Sequence, residues 1–253
     1  MIDDLGTPYE AGRPPRRIVS LVPSLTESVA VSAPELLVGA TDWCTAPADL
    51  DVARVKGTKW PDLDGIHALA PELVLANAEE NRAEDIAALR AAGIPVWVTA
   101  PATVPAALDS LQRMLAALGL DHQPWLEQAR EVWSTPSAMG SGPVVVPIWR
   151  RPWMVLGRDT FAGDMLARLG YANLYAGHAE RYPKIPVEEL TVAGAKLVVL
   201  PDEPYLFTAD DGPEAFPGLP CALVSGRHLT WYGPSLVDAR TILTGQLHVH
   251  LNI

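Results

Sequence analysis

"KWPDLDGIHALAPELVLAN" occupies residues 59–77, and "RYPKIPVEELTVAGAKLVVLPD" occupies residues 181–202. Each sets a large aromatic before proline, Trp60-Pro61 in one and Tyr182-Pro183 in the other. A residue before proline is pushed toward extended backbone, so both stretches open as a turn. Leu63-Asp64-Gly65-Ile66 then leads to Leu73-Val74-Leu75, and Val187-Glu188-Glu189-Leu190 leads to Leu197-Val198-Val199 at the same offset. A short helical stretch followed by an unbroken apolar run is the pattern of a helix feeding a strand buried on both faces. The chain therefore builds one helix–strand unit twice, with an acid, Asp64 or Glu188, at the same place in each.

Reading outward, "RRIVSLV" (16–22) is a strand signal and "PSLTESVAVSA" (23–33) a short helix, with Ser24 and Glu27 spaced as a capping box. "LLVGAT", "ELVLAN" and "IPVWVTA" supply three more strands, and "ENRAEDIAALRAAG" a helix that Gly93 stops. Residues 104–133 carry two helical stretches and no strand signal. "SGPVVVPIWRRPWMVLG" restarts strands, followed by the helix "DTFAGDMLARLG", the second copy of the repeat, the strand "CALVSG" and a closing helix in "SLVDARTILTGQLHVHL". Strand–helix alternation implies parallel sheets wrapped by helices. The expected fold is α/β: two lobes with parallel sheets flanked by helices, an N-terminal lobe over 1–101 and a C-terminal lobe over 140–253. They are joined by a long helical backbone in 102–139, with a ligand cleft between the lobes.

The chain has 253 residues, 49% of them apolar, which is enough for a sizeable core. A net charge of -11 argues against nucleic acid or an anionic membrane as partner, since both need a basic face. No apolar run is long enough to insert in a membrane. The N-terminus, "MIDDLGTPYEAGRPPRR", is acidic and lacks an apolar core, so it does not read as a signal peptide. As written, the chain is expected in the cytoplasm, and outside it if the N-terminus is truncated. Cys44 and Cys221 fit no metal spacing and read as two reduced, partly buried thiols, with a disulfide joining the halves as the alternative.

In a parallel sheet, ligands meet the loops at the carboxyl ends of the strands. Those loops hold Trp43, Trp60, Asn77, Glu79, Glu80 and Asn81 in the first half. In the second they hold Trp149, Arg150, Arg151, Trp153, Tyr182, Tyr205 and the pair Trp231-Tyr232. Five of the eight tryptophans fall there. Loop indoles at one sheet edge suit a wall for a large planar ligand, and ordinary packing between the lobes is the alternative. Arg150 and Arg151 suit carboxylates or phosphates on such a ligand, or a solvated turn.

"RIVSLVPSLTE", "LVGATDWC", "GTKWPDLDGIHALAPELVLAN", "AAGIPVWVT" and "VLGRDTFAGDMLARLG" resemble the class III periplasmic-binding-protein superfamily. These helical-backbone metal receptors include the vitamin B12-binding and ferric-siderophore-binding proteins of ABC importers. The resemblance runs from Arg17 to Leu247. It implies a substrate-binding protein for a bulky metal chelate, cobalamin or another corrinoid first, a ferric siderophore or haem next, with no intrinsic cofactor. By position, Trp43 and Trp60 would wall the ligand from the first lobe, and Trp153, Tyr182 and Trp231 from the second. Asn77 stands where the B12-binding member has a further Trp. Asp64 and Glu188 match the acids that dock on arginines of an ABC permease; by chemistry alone each is equally a first-turn acid offsetting a helix dipole. The alternative on the same scaffold is a cytoplasmic chelate carrier or enzyme without a transport role.

Other chemistry finds less support. His67, His122, His178, His228, His248 and His250 form no visible four-ligand set for a bare Zn²⁺ or Mn²⁺ ion, although His178 or His228 could donate an axial nitrogen to a chelated metal. No nucleophile elbow, P-loop or dinucleotide fingerprint is present. Ser225 and His228 lie close without a placed acid, and Glu79-Glu80 reads as a solvated helix start. The chain is therefore read as a binding protein and not an enzyme.

Overall fold

In the computed structural model, which describes residues 1–10, 12–136 and 142–251, the two copies of the repeat are matching elements. Each is a six-residue helix followed by a five-residue strand with every residue buried: α2 (Leu63–Ala68) with β4 (Leu73–Asn77), and α7 (Val187–Val192) with β10 (Leu197–Pro201). Asp62 caps the first helix by accepting from the Gly65 N–H, 3.0 Å away, and this bond, with Lys56 beside it, holds the Asp62 carboxyl below its ordinary range. Pro186 starts the second helix without a side-chain cap.

The chain divides into two units. The first comprises residues 1–101, 106–128 and the short segment 232–234. Its five-stranded sheet has the order β3-β2-β1-β4-β5, all parallel, from β1 (Ile18–Ser20), β2 (Leu37–Ala40), β3 (Ala53–Arg54), β4 and β5 (Val96–Thr99). Val19, Leu21, Val74, Ala76 and Val98 of this sheet pack with Ile66 of α2 and with Ile86 and Leu89 of α3 (Ala83–Ala91). α1 (Pro23–Ser32) is buried from Pro23 to Ala30. Two of its buried hydroxyls bond back to the backbone one turn earlier: Thr26 Oγ1 donates to Val22 O and Ser28 Oγ to Ser24 O. The capping box expected at Ser24 does not form. Val22 is the N-cap and Pro23 takes the first helical position, where its missing N–H costs nothing, so Ser24 already lies inside the helix.

The N-terminal residues belong to this unit. Asp3 accepts from the N–H groups of Leu5, Thr7 and Val98 and pairs with Arg90. Asp4 accepts from Ala100 N and Ser110 Oγ and pairs with Arg113. The acids that make this stretch unlike a leader are thus structural ligands of the fold.

The second unit comprises residues 102–105, 129–231 and 235–253. Its four-stranded parallel sheet has the order β11-β10-β6-β9, from β6 (Gly142–Val145), β9 (Tyr171–Asn173), β10 and β11 (Cys221–Val224). After β6 the chain turns through an antiparallel hairpin, β7 (Pro147–Arg150) and β8 (Trp153–Val155). α6 (Phe161–Arg168) is capped by Thr160 Oγ1, which accepts from Gly163 N. α8 (Gly226–Thr230) and α9 (Leu236–Leu247) follow β11. Val145, Val198, Leu200, Leu190, Phe207 and Phe216 form the core. The helical stretch of residues 104–132 reads out as α4 (Val104–Ala117) and α5 (Pro124–Val132), and the division between units falls within α5, after Gln128. The lobe boundary expected at 139/140 lies outside the described residues. Among the described residues no helix is long and apolar enough to cross a membrane.

Both cysteines are free and buried. Cys44 Sγ sits 3.0 Å from Thr26 Oγ1 and 3.1 Å from Thr41 Oγ1, and burial raises its thiol above the ordinary value. Burial pushes the Cys221 thiol up to about 11. Since the thiolate is the reactive form, neither cysteine should react with a thiol reagent at pH 8 until the protein is denatured, whereupon both should titrate. A Cys44→Ser variant that loses a rapidly reacting thiol in the native state would contradict this burial.

Candidate functional site

Because the first sheet is wholly parallel, the loops after β2, β3, β4 and β5 leave from one edge. Trp43 follows β2 and is 66% exposed; Trp60 follows β3 and is 70% exposed. Large aromatics this open in ordered loops are unusual, because burying either ring would remove a large apolar area from water. Neither loop is slack. The Asp42 N–H donates to Lys56 O, and a Cβ on Gly57 would touch the Trp43 indole at 3.4 Å. The Arg82 guanidinium lies 3.9 Å over the Trp60 ring and covers one face of it.

Asn77, expected among the ligand-facing residues, is 4% exposed and organises the turn after β4 instead. Its Oδ1 accepts from the N–H groups of Glu79 (2.7 Å) and Glu80 (3.0 Å). Its Nδ2 donates to Tyr232 Oη at 2.6 Å. Tyr232 Oη lies 2.8 Å from Thr99 Oγ1, which itself donates to Ala76 O, so the phenol donates to the threonine. Both ends of the Asn77 amide are thus engaged within the fold. The network continues to the Trp60 loop. Asn81 Oδ1 accepts from Asn77 N, Asn81 Nδ2 donates to Thr58 O, and Lys59 Nζ donates to Glu79 O. Glu79 and Glu80 therefore lie in a turn ahead of α3, which begins at Ala83. Burial raises the Tyr232 phenol far above its ordinary value, with the Glu80 charge adding to it.

In the second unit the β7–β8 hairpin, the loop after β10 and the start of α8 leave the same sheet edge. Trp149 is 42% exposed and meets the Tyr205 ring edge-on at 5.6 Å. Tyr205, part-buried, contacts Phe207 at 4.7 Å, and Phe207 stacks on Trp153 at 6.0 Å. Trp153 also meets Phe216 edge-on at 5.3 Å, so it is the inner end of this aromatic series and packs with the core. Tyr182 is half-buried in a segment running along β8, where Val155 N donates to Pro183 O and Gly157 N to Arg181 O. Trp231 is 8% exposed, and its indole N–H donates to Glu203 Oε2 at 3.1 Å. It is an interior residue of this unit. Arg150 is likewise committed, pairing with both Asp211 and Glu214. Arg151, at the hairpin turn, is exposed, with no ion pair to it among the described residues.

Several residues central to this arrangement carried no clear sequence signal. Glu203 is one: burial raises its carboxyl above the ordinary range, Asp202 adds to that, and the Trp231 N–H and Arg227 oppose it. A Cβ on Gly226 would lie 2.6 Å from the Glu203 backbone nitrogen, so only glycine lets the loop pass there. Ser225 and His228 do meet, Oγ to Nδ1 at 2.8 Å, but Ser225 is the N-cap of α8 and its hydroxyl accepts from His228 N. Burial and Arg227 lower the His228 imidazole. His178 Nδ1 accepts from Glu180 N within its own turn. Among the described residues no group of three or more His, Cys, Asp or Glu is placed to hold a metal ion. Asp64 and Glu188 are both exposed in the first turns of α2 and α7.

No protein-family model matches the chain. The vitamin B12-binding protein of Photorhabdus laumondii is 22% identical over 204 residues, 74% of this chain and 70% of that protein. The vitamin B12-binding protein of Vibrio campbellii is 21% identical over 192 residues, 71% of this chain and 68% of that protein. The periplasmic haem-binding protein RhuT of Roseiflexus sp. RS-1, solved in apo form, superposes with a TM-score of 0.74 at 23% identity, covering 92% of this chain and 98% of its own. The periplasmic vitamin B12-binding protein BtuF of Vibrio cholerae gives a TM-score of 0.71 at 18% identity, covering 92% and 97%. The chain thus has the class III periplasmic-binding-protein fold that its motifs resemble. The expected cytoplasmic location is corrected by the same finding, since these structures are of periplasmic proteins. The residues from which that location was read, including Asp3 and Asp4, are folded into the first unit and carry no information on export.

Tyr232→Phe removes one hydroxyl from a closed, buried network and leaves the Asn77 amide with only its long 3.5 Å contact to Thr99 Oγ1. It should lower stability by about 1–3 kcal/mol, read as a shifted urea midpoint with an unchanged m-value.

Proposed function

We propose that this chain is the substrate-binding protein of an importer for a bulky metal chelate, with a corrinoid as the first ligand class. The observation that carries the reading is the exposure of Trp43, Trp60 and Trp149 at the carboxyl edges of two parallel sheets, the first two in loops and the third on the β7–β8 hairpin, each held by specific contacts. Fixed, open indoles lose little entropy on binding and offer flat apolar faces to a macrocycle. The relatives named as vitamin B12-binding proteins support the corrinoid. The haem-binding neighbour favours haem as the second ligand, and a ferric siderophore falls in the same class of chelate.

In this reading Tyr205 contributes its ring edge beside Trp149, and Tyr182 and Trp153 support the wall from behind. Arg151 is the cation available to carboxylate or phosphate groups on the ligand. The protein binds and releases; it performs no chemistry and needs no resident cofactor. His178 and His228 keep their Nδ1 atoms in local hydrogen bonds, which leaves Nε2 of each as the ring nitrogen for an axial bond to a chelated metal. Asp64 and Glu188, exposed on matching helices, are the contacts for basic side chains of an ABC-type permease.

Trp60→Ala and Trp149→Ala should each weaken binding of aquocobalamin or haemin about fivefold or more, since a stacked aromatic contributes on the order of 1 kcal/mol. Isothermal titration of each variant measures this, with circular dichroism confirming the fold. Variants that both bind like the parent protein would sink the proposal.

A further inference from the structure

The β7–β8 hairpin is joined to the loop after β10 by one side chain. Arg150, at the end of β7, pairs through one guanidinium nitrogen with Asp211 Oδ1 and through another with Glu214 Oε1. Both carboxylates are held on their far oxygens. Asp211 Oδ2 accepts from Tyr205 Oη at 2.6 Å, and Glu214 Oε2 accepts from Gly212 N at 2.6 Å. The loop is further set by Thr208 N donating to Asp211 O at 3.0 Å. Gly212 has φ +134 and passes so close to Phe207 that a Cβ would lie 2.7 Å from its ring. The Arg150 side chain is 18% exposed, and its guanidinium lies 5.4 Å from the Trp153 ring centroid. Partial burial works to raise the Glu214 carboxyl, but the Gly212 N–H and Arg150 outweigh it and hold the group below its ordinary value.

The consequence lies one residue away. Trp149 precedes Arg150 on β7, and Tyr205 shares Asp211 with it, so the edge-to-face pair Trp149–Tyr205 joins the two segments that the arginine bridges. We propose that Arg150 is a positioning residue: by bridging Asp211 and Glu214 it fastens the hairpin to this loop and fixes the exposed face that Trp149 and Tyr205 present to ligand. A planar fork held by two carboxylates restrains a loop in direction as well as distance, which a lysine does only in part. The proposal rests on the binding reading given above, and it removes Arg150 from the groups that touch ligand.

A double-mutant cycle read by isothermal titration with aquocobalamin or haemin tests it. Arg150→Met keeps the aliphatic stem and removes the fork. It should weaken binding roughly fivefold in the parent protein and less than about twofold in a Trp149→Ala background, because the two changes act on one structure. Arg150→Lys should restore part of the loss. Asp211→Asn with Glu214→Gln, which alters surface carboxylates and leaves the arginine in place, should reproduce the Arg150→Met phenotype and guards against misfolding of the first variant. If Arg150→Met binds like the parent while Trp149→Ala weakens binding, the positioning role is overturned and the binding reading stands. Equal losses from Arg150→Met in both backgrounds also overturn it, since the arginine would then act independently of Trp149. Unchanged binding in Trp149→Ala overturns the positioning role together with that indole's place in the site.

Discussion

The carboxamide of Asn77 is the fixed point on which the open loops of the first unit depend. It closes the turn after the interior strand β4 through two backbone N–H groups and meets Tyr232 from a segment far along the chain. Through Asn81 and Lys59 the same turn secures the loop that carries Trp60. A buried amide with partners on every side is rigid because any displacement leaves a polar group unpaired in a low-dielectric interior. That rigidity is what allows a tryptophan to remain open to solvent and hold one orientation.

The second unit reaches the same end by ionic means. Where the first has an amide and a phenol inside the sheet edge, the second has a guanidinium, two carboxylates and a graded series of rings. That series runs from buried Phe216 to half-exposed Trp149. Each unit thus combines an interior that cannot yield with a surface indole that stays exposed. The combination suits recognition of a preformed, rigid ligand better than it suits catalysis, which asks for groups of perturbed acidity beside an open reaction space. Glu203, the half-buried carboxyl whose pKa burial raises, is turned to the Trp231 indole N–H.

How far the sequence could be read follows from what each signal measures. Parallel strands buried on both faces appear as unbroken apolar runs, so β1, β4, β5, β10 and β11 were legible, as was the repeat that pairs α2–β4 with α7–β10. β3, two exposed residues, and β9, three residues at a sheet edge, have no pattern to see. The run "SGPVVVPIWRRPWMVLG" looked like strand restarting but contains a sheet strand and a separate hairpin, because apolar composition does not report a change of partner. Loop tryptophans at the carboxyl edge were identifiable as a class. Which of them turn inward was not, since that depends on a tertiary partner: Glu203 draws in Trp231, and Phe207 and Phe216 draw in Trp153. The engagement of Asn77 within the fold was hidden for the same reason. Its partner Tyr232 is 155 residues away, although the Asn77–Asn81 spacing was a visible sign of a side-chain-closed turn.

Recognition in this proposal depends on chelate being held against open indoles, among them Trp60, whose other face Arg82 already covers. A crystal structure grown with aquocobalamin addresses this directly. The expected result is an ordered corrin in van der Waals contact with the face of Trp60 opposite Arg82, with the turn from Asn77 to Asn81 unchanged. A corrin ordered elsewhere, touching none of Trp43, Trp60 and Trp149, would contradict it.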